Sequence, residues 1–153
     1  IVFYGESKER QSLSLQELRE KVIALAKWLT KNGVKQGDRV AVLATNSPET
    51  IISMLATAAL GAIFTSCSPD FGEEGIIDRF GQCNPKIFIT TDGYIYGGKK
   101  YDIRDKINNI SRLNNISLFE GSQMFLKENK TKVNIKPWEV VQINRDKLLW
   151  LNK

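Results

Sequence analysis

The chain has 153 residues, of which 42% are hydrophobic and 25% charged, and its formal net charge is +5. This length suits one domain with its own core, and the composition is that of an ordinary globular protein. The chain contains no histidine, which excludes His-based acid–base chemistry, Ser-His-Asp triads and His-ligated metals from these residues. Its two cysteines cannot complete a structural zinc site. We therefore expect no metal site and no catalytic residue within this chain.

Cysteine usage and hydropathy indicate a cytoplasmic protein. Cys67 and Cys83 lie in a chain with no visible secretory leader, so we interpret them as reduced thiols. The longest apolar helix, residues 51–59, is too short to span a bilayer, so membrane insertion is not expected. The chain begins at Ile1 rather than methionine, and we expect a segment upstream of it.

Charge is distributed unevenly along the chain. Residues 1–98 contain ten basic and eleven acidic side chains, whereas residues 99–153 contain twelve basic and six acidic ones. The excess of lysine in the second half indicates either an anionic ligand or a compositional bias, and the spread of these lysines favours the bias. No nucleic-acid-binding motif accompanies them, so the expected partners are small-molecule substrates rather than nucleic acid. The oligomeric state is left open.

An amphipathic helix follows a short edge strand at residues 2–4 and a polar turn. Ser14 and Glu17 form a capping box at its start, where each side chain satisfies a free backbone amide. Apolar residues then recur at helical spacing. Gly33 ends the helix, as glycine commonly does just after a C-cap.

Continuous apolar runs farther along the chain predict strands buried on both faces of a sheet. The expected parallel strands lie at residues 39–44, 62–66, 86–90 and 115–119. Residues 143–151 are a further candidate strand, and residues 120–147 are interpreted as a polar surface excursion.

Helices are predicted between these strands. Ser47 caps the second helix and Pro48 takes its first position. The third helix covers residues 73–83, and the Asn84-Pro85 pair ends it. The fourth runs from Asp102 to about Arg112. Strands that alternate with helices predict an α/β fold, with a mostly parallel sheet and helices on both of its faces.

The stretch of residues 68–99 carries the most specific motifs of the chain. Its segments Ser-Pro-Asp-Phe-Gly, Asp-Arg-Phe-Gly-Gln, Pro-Lys and Asp-Gly-Tyr…Gly-Gly-Lys resemble the acetoacetate–CoA ligases of the acyl-adenylate-forming superfamily. A more generic block, residues 33–62, resembles the amino-terminal part of acyl-CoA synthetases, luciferases and peptide-synthetase adenylation domains. Together the two blocks cover Ser12 to about Lys100.

This resemblance implies a place in a larger enzyme. Residues 1–153 would form a single α/β part of the large N-terminal domain of a ligase that makes acetoacetyl-CoA from acetoacetate, ATP and CoA, with Mg²⁺. The Ser/Thr-Gly-Thr-Thr-Gly phosphate loop of such enzymes does not occur in the sequence. We expect that loop and the C-terminal domain to be absent, and the chain by itself to be inactive. The alternatives are a ligase for another short- or medium-chain acid, and a truncated, non-catalytic module that binds a nucleotide or a partner.

The resemblance also implies a site for the nucleotide end of CoA. Related acetyl-CoA synthetases hold that end with a pair of glycines before a helix and two arginines in a glycine turn. The glycine pair aligns with Pro69 and Asp70, which precede Phe71, and the second arginine aligns with Lys99. A lysine can still pair with a phosphate as a point charge. The expected CoA-binding residues are therefore Pro69, Asp70, Phe71 and Lys99.

This sequence departs from the family pattern at the first arginine of the turn. That arginine aligns near Ile95, whose side chain has no hydrogen-bond donors. Lys100 is the candidate substitute.

Three other side chains near the motif are interpreted as structural. We expect Arg79 to form a salt bridge on its helix with an acid such as Glu74 or Asp78, rather than to contact a ligand. Tyr94 and Tyr96 are expected to pack against the neighbouring helix rather than to stack on an adenine ring.

Overall fold

The computed structural model describes residues 1–6 and 10–113 of the chain. The strands in these ranges are β1 (Val2–Tyr4), β2 (Arg10–Ser12), β3 (Arg39–Leu43), β4 (Ile63–Cys67), β5 (Ile87–Thr90), β6 (Gly93–Tyr96) and β7 (Lys99–Asp102). The helices are α1 (Leu15–Lys31), α2 (Pro48–Ala59), α3 (Glu73–Cys83) and α4 (Arg104–Leu113). The strands predicted at 115–119 and 143–151, and the excursion at 120–147, lie outside the described residues. None of the helices described is long and apolar enough to cross a membrane.

β3 is the central strand of a three-stranded sheet with the order β4-β3-β5. Both of its pairings are parallel, with Val40 opposite Phe64 on one side and Ile87 on the other. The residues from Val40 to Leu43 are fully buried. The parallel sheet predicted from the apolar runs at 39–44, 62–66 and 86–90 is therefore confirmed.

Alternate residues of β3 pack into two separate hydrophobic clusters. Val40 and Val42 join the cluster formed with α1 and α2, whereas Ala41 and Leu43 join the cluster formed with α3 and α4. Successive side chains of a strand point to opposite faces of the sheet. Helices therefore cover both faces, as predicted.

The ends of α1 follow local sequence signals, whereas the side-chain cap predicted for α2 does not form. The backbone N–H of Glu17 donates to Ser14 Oγ at 3.2 Å, and the N–H of Ser14 donates to Glu17 Oε2 at 2.8 Å, which confirms the capping box. Gly33, after the C-cap of α1, has a φ of +80°. Ser47 occupies the N-cap position of α2, but its side chain does not cap the helix. The Ser47 hydroxyl is instead 3.5 Å from Thr50 Oγ1.

Two basic side chains tie together the loops at the amino-terminal edge of the sheet. Lys86 Nζ donates to the carbonyl of Gly33 and to Asp38 Oδ2, the latter at 3.0 Å. Arg39 Nε donates to the carbonyl of Cys83 at 2.8 Å. These contacts join the loop after α1 to the start of β5, and the end of α3 to the start of β3.

An antiparallel pair of strands lies near the amino terminus, where the sequence predicted one strand followed by a polar turn. β1 pairs with β2, and Phe3 lies opposite Gln11. The amino group of Ile1 also donates to the carbonyl of Leu13 at 2.8 Å. The prediction of β1 is confirmed, but β2 was missed because its short polar sequence has no apolar alternation.

The glycine turn expected at Gly97 and Gly98 connects two strands, β6 and β7, in a β-hairpin. Gly97 and Gly98 have φ values of +56° and +75° and connect the two strands, as the two central residues of a type I′ turn require. Tyr96 pairs with Lys99 on either side of them. The turn was predicted correctly, but the strands that flank it were not.

The hairpin also moves the start of the fourth helix. Asp102 was predicted as its first residue, but Asp102 is the last residue of β7 and pairs with Gly93. The helix begins at Arg104, whose backbone N–H donates to Asp102 Oδ1 at 3.0 Å. Strand pairing thus fixes the boundary.

Gly93 is required by a close approach of backbone rather than by a turn conformation. A Cβ at this position would lie 2.6 Å from the carbonyl oxygen of Tyr101. We expect Gly93→Ala to separate β6 from β7 locally and to lower the free energy of unfolding by about 1–3 kcal/mol, as overpacking does.

Gly75→Ala is the matched control for this prediction. Its Cβ would meet the ring of Phe71 at 3.7 Å, an ordinary contact, and alanine is favoured over glycine within a helix by about 0.5–1 kcal/mol. Urea unfolding should give a lower midpoint for Gly93→Ala and an equal or higher one for Gly75→Ala. An unchanged midpoint for Gly93→Ala would contradict the hairpin.

Candidate ligand-binding site

An open cavity of about 480 Å³ lies at the carboxyl-terminal edge of the parallel sheet. It is lined by residues 3–6, 44–46, 50, 66–71, 79 and 94–96. Segments that leave β3 and β4 meet there with the end of β1, part of α3 and most of β6. Open α/β sheets place their ligands at this edge, and the volume is in the range of small-molecule sites.

Three of the four residues predicted to bind CoA line the cavity. Pro69 is buried, whereas Asp70 and Phe71 are exposed to it. Lys99 is exposed but does not line the cavity. It pairs with Tyr96, which does. Since directly opposite residues of an antiparallel pair share one face, the Lys99 side chain lies beside that of Tyr96 at the rim.

The loop of residues 68–71 is held from outside the cavity by α4. Lys106 Nζ donates to the carbonyl of Pro69 at 3.0 Å and to that of Phe71 at 2.9 Å. Asn109 Nδ2 lies 3.3 Å from Glu73 Oε1, at the start of α3. The sequence contained no signal for Lys106, because it lies 35 and 37 residues from its partners. Lys106 supports the loop that carries most of the predicted site.

Arg79 faces the cavity and stacks on an aromatic ring. The central carbon of its guanidinium lies 5.1 Å from the centroid of the Phe71 ring, in cation–π contact. The predicted salt bridge is wrong, since no ion pair within the described ranges joins Arg79 to Glu74 or Asp78. Residues five and one positions apart do not face each other on a helix, where neighbours are three or four apart.

The two tyrosines of β6 that line the cavity, Tyr94 and Tyr96, differ in their packing. Tyr94 packs against the hydrophobic cluster formed with α3 and α4, as predicted, and its ring also stacks on Tyr101 at 4.9 Å. Tyr96 is 67% exposed, so the prediction that it packs against a helix is wrong. Ile95, between them, also borders the cavity. β6 therefore supplies a wall of aromatic and apolar surface.

Two titratable groups of the cavity have pKa values above their ordinary ones. Burial raises the pKa of the Cys67 thiol above its ordinary value, against a smaller opposing effect of Arg79. Burial also raises the pKa of the Tyr94 hydroxyl, and the charge of Asp70 adds to the shift.

Among the lining residues that the structure describes, the charged groups are Arg79, Asp70 and Glu6. Arg79 is thus the only cation among them.

The geometry of the cavity is suited to binding a ligand with both a ring and an anionic group. The aromatic side chains of the lining suit a planar ring, and the Arg79 guanidinium suits an anion. In residues 1–6 and 10–113, no three His, Cys, Asp or Glu side chains are grouped so that they could hold a metal ion. Both cysteines are free thiols.

Known proteins resemble this chain over most of its length. Residues 1–148 match the family model described as AMP-binding enzyme. The acetoacetyl-coenzyme A synthetase of Rhizobium meliloti (strain 1021) is 50% identical over 112 residues, which are 73% of this chain and 17% of that protein. The acetoacetyl-CoA synthetase of Macaca fascicularis is 40% identical over 106 residues, or 69% of this chain and 16% of that protein.

A solved structure shows the same similarity in three dimensions. The acetoacetyl-CoA synthetase from Streptomyces lividans matches with a TM-score of 0.74 at 41% sequence identity, over 77% of this chain and 18% of that one. The chain thus spans less than a fifth of the length of these relatives. The α/β fold and the resemblance stated from the motifs are both confirmed. Because the family match extends over nearly all of its residues, the chain belongs to the AMP-binding enzyme family.

Proposed function

We propose that the chain is the front segment of an AMP-forming acetoacetate–CoA ligase. Such an enzyme joins acetoacetate to AMP with release of pyrophosphate, and then transfers the acyl group to the thiol of CoA. The observation that carries the proposal is the 50% identity over 112 residues to the acetoacetyl-coenzyme A synthetase of Rhizobium meliloti. A ligase for a different acid is less well supported, because the similar proteins of Macaca fascicularis and Streptomyces lividans are also acetoacetyl-CoA synthetases.

Within that enzyme, the cavity of this chain would bind the nucleotide end of CoA. The loop of Pro69, Asp70 and Phe71 would contact the nucleotide. Lys99 would reach a phosphate from the rim, beside Tyr96. The position of the cavity at the carboxyl ends of parallel strands supports this role.

ATP and Mg²⁺ belong to the proposed reaction but not to the part of this chain described here. The described residues bring no group of carboxylates together for a metal ion, so they do not fit a magnesium site. We assign ATP and Mg²⁺ to other parts of the ligase, and we propose a cytoplasmic location in keeping with two free thiols.

Because ATP and Mg²⁺ are assigned to other parts of the ligase, we predict that the 153-residue chain alone has no ligase activity. Acetoacetate-dependent ATP–pyrophosphate exchange should equal that of a no-protein control, because positioning and neutralising phosphates dominate such chemistry. The positive control is an acetoacetyl-CoA synthetase of full length under identical conditions. Exchange that depends on acetoacetate and increases with the amount of chain would refute the assignment of ATP and Mg²⁺ to other parts of the ligase.

The proposed CoA site predicts weak, saturable binding of CoA by the chain in calorimetric titration. Lys99→Ala should weaken CoA binding roughly two- to fivefold, in keeping with an exposed charge pair. The loss should be smaller for 3′-dephospho-CoA and should fade as salt is added. Lys27→Ala, an exposed change on α1 away from the cavity, is the control. Equal losses of affinity for both ligands would refute a contact between Lys99 and the 3′-phosphate. The absence of saturable CoA binding by the unchanged chain would refute the site.

A further inference from the structure

We propose that Arg79 contacts the phosphorylated ligand of the cavity directly. It makes the bidentate phosphate contact that Ile95, which stands near the position of the family's first arginine, cannot make. This inference rests on the function proposed above, which places the nucleotide end of CoA in the cavity. It assigns to Arg79 a role that its sequence context did not indicate.

The first argument is the distribution of charge around the cavity. Arg79 is the only cation among the described residues that line it, and the other charged lining groups are Asp70 and Glu6. A phosphorylated ligand therefore meets one cation and two acids on this wall. Lys106 lies close behind the loop, but its ammonium already donates to two backbone carbonyls. The guanidinium of Arg79 is the group placed to offset the charge of a phosphate.

The second argument is that the donors of Arg79 are not engaged by the protein. Arg39 donates to three backbone carbonyls, and Arg104 pairs with the carboxylate of Asp102. Across residues 1–6 and 10–113, by contrast, the Arg79 guanidinium stacks on the ring of Phe71 and forms no ion pair. A ring contact leaves the in-plane N–H groups directed outward. Those groups match the spacing of phosphate oxygens.

The third argument is that the pair of Arg79 and Phe71 is held in place before a ligand arrives. Phe71 belongs to the loop that Lys106 fixes through the carbonyls of Pro69 and Phe71. Because the backbone of this loop is held and the guanidinium already stacks on the Phe71 ring, less freedom is lost when Arg79 binds an anion. Burial raises the pKa of Cys67 on the cavity wall, and the nearby charge of Arg79 offsets part of that rise.

The test compares Arg79→Gln and Arg79→Lys with the unchanged chain in titrations with CoA, 3′-dephospho-CoA and adenosine. Arg79→Gln should weaken CoA binding roughly tenfold, as expected for loss of a charge-assisted contact, and should leave adenosine binding nearly unchanged. Arg79→Lys should keep part of the affinity for CoA that Arg79→Gln loses, because an ammonium cannot make the bidentate contact. Arg19→Gln, an exposed change on α1, is the matched control and should bind like the unchanged chain.

Each outcome separates this inference from the function on which it rests. If the unchanged chain does not bind CoA, the CoA site itself is refuted. If it binds CoA and Arg79→Gln binds equally well, the role of Arg79 is refuted while the CoA site stands. If Arg79→Gln loses as much affinity for adenosine as for CoA, Arg79 acts through the Phe71 ring rather than on a phosphate. If Arg79→Lys binds CoA as tightly as the unchanged chain, the bidentate contact is refuted. Urea midpoints for both variants show whether folding is intact, and the lysine variant keeps the stacked cation if glutamine unfolds the chain.

Discussion

The burial of β3 on both of its faces is the constraint on which the rest of this structure depends. Val40 and Val42 need one pair of helices to cover them, and Ala41 and Leu43 need another pair. A strand with two buried faces occupies the middle of a parallel sheet, so its neighbours must be reached by crossovers through those helices. The chain therefore leaves β3 and β4 at the same edge, and that edge is where the cavity forms.

The two edges of the sheet differ in how their polar groups are satisfied. At the amino-terminal edge, Lys86 and Arg39 donate to carbonyls of adjoining loops, which closes that edge with contacts inside the protein. At the carboxyl-terminal edge, Lys106 does the same for the loop of residues 68–71, but it does so from behind the loop. The front of the loop, with Asp70 and Phe71, is left facing the cavity. A rigid loop with an open front is the arrangement that a binding site needs.

The basic side chains around the site have distinct surroundings although they share a charge. Lys106 is engaged by backbone carbonyls, Arg79 is stacked on a ring, and Lys99 is exposed at the rim of the cavity. The resemblance to the family drew attention to Lys99, which aligns with an arginine of the motif, and to Lys100, but not to Arg79. The tertiary structure brings Arg79 into the same cavity from a neighbouring helix, and this position makes it a stronger candidate for contact with a phosphate.

Local signals in the sequence determined most of the fold. The capping box of Ser14 and Glu17 spans three positions, the apolar run of β3 is continuous, and Gly97-Gly98 is a turn by itself. Each of these depends on the few residues beside it, so each could be predicted without the rest of the chain. The family membership also followed from motifs that are contiguous in sequence.

Only the tertiary structure decided which distant residues meet. The requirement for glycine at Gly93 arises from the carbonyl of Tyr101 across a hairpin, and the support given by Lys106 arises from a loop more than thirty residues earlier. The pairing of Arg79 with Phe71 depends on how α3 lies against that loop. Such contacts are set by the packing of whole elements, which leaves no periodic trace in the sequence, whereas helix caps, turns and buried strands are set by neighbours along the chain.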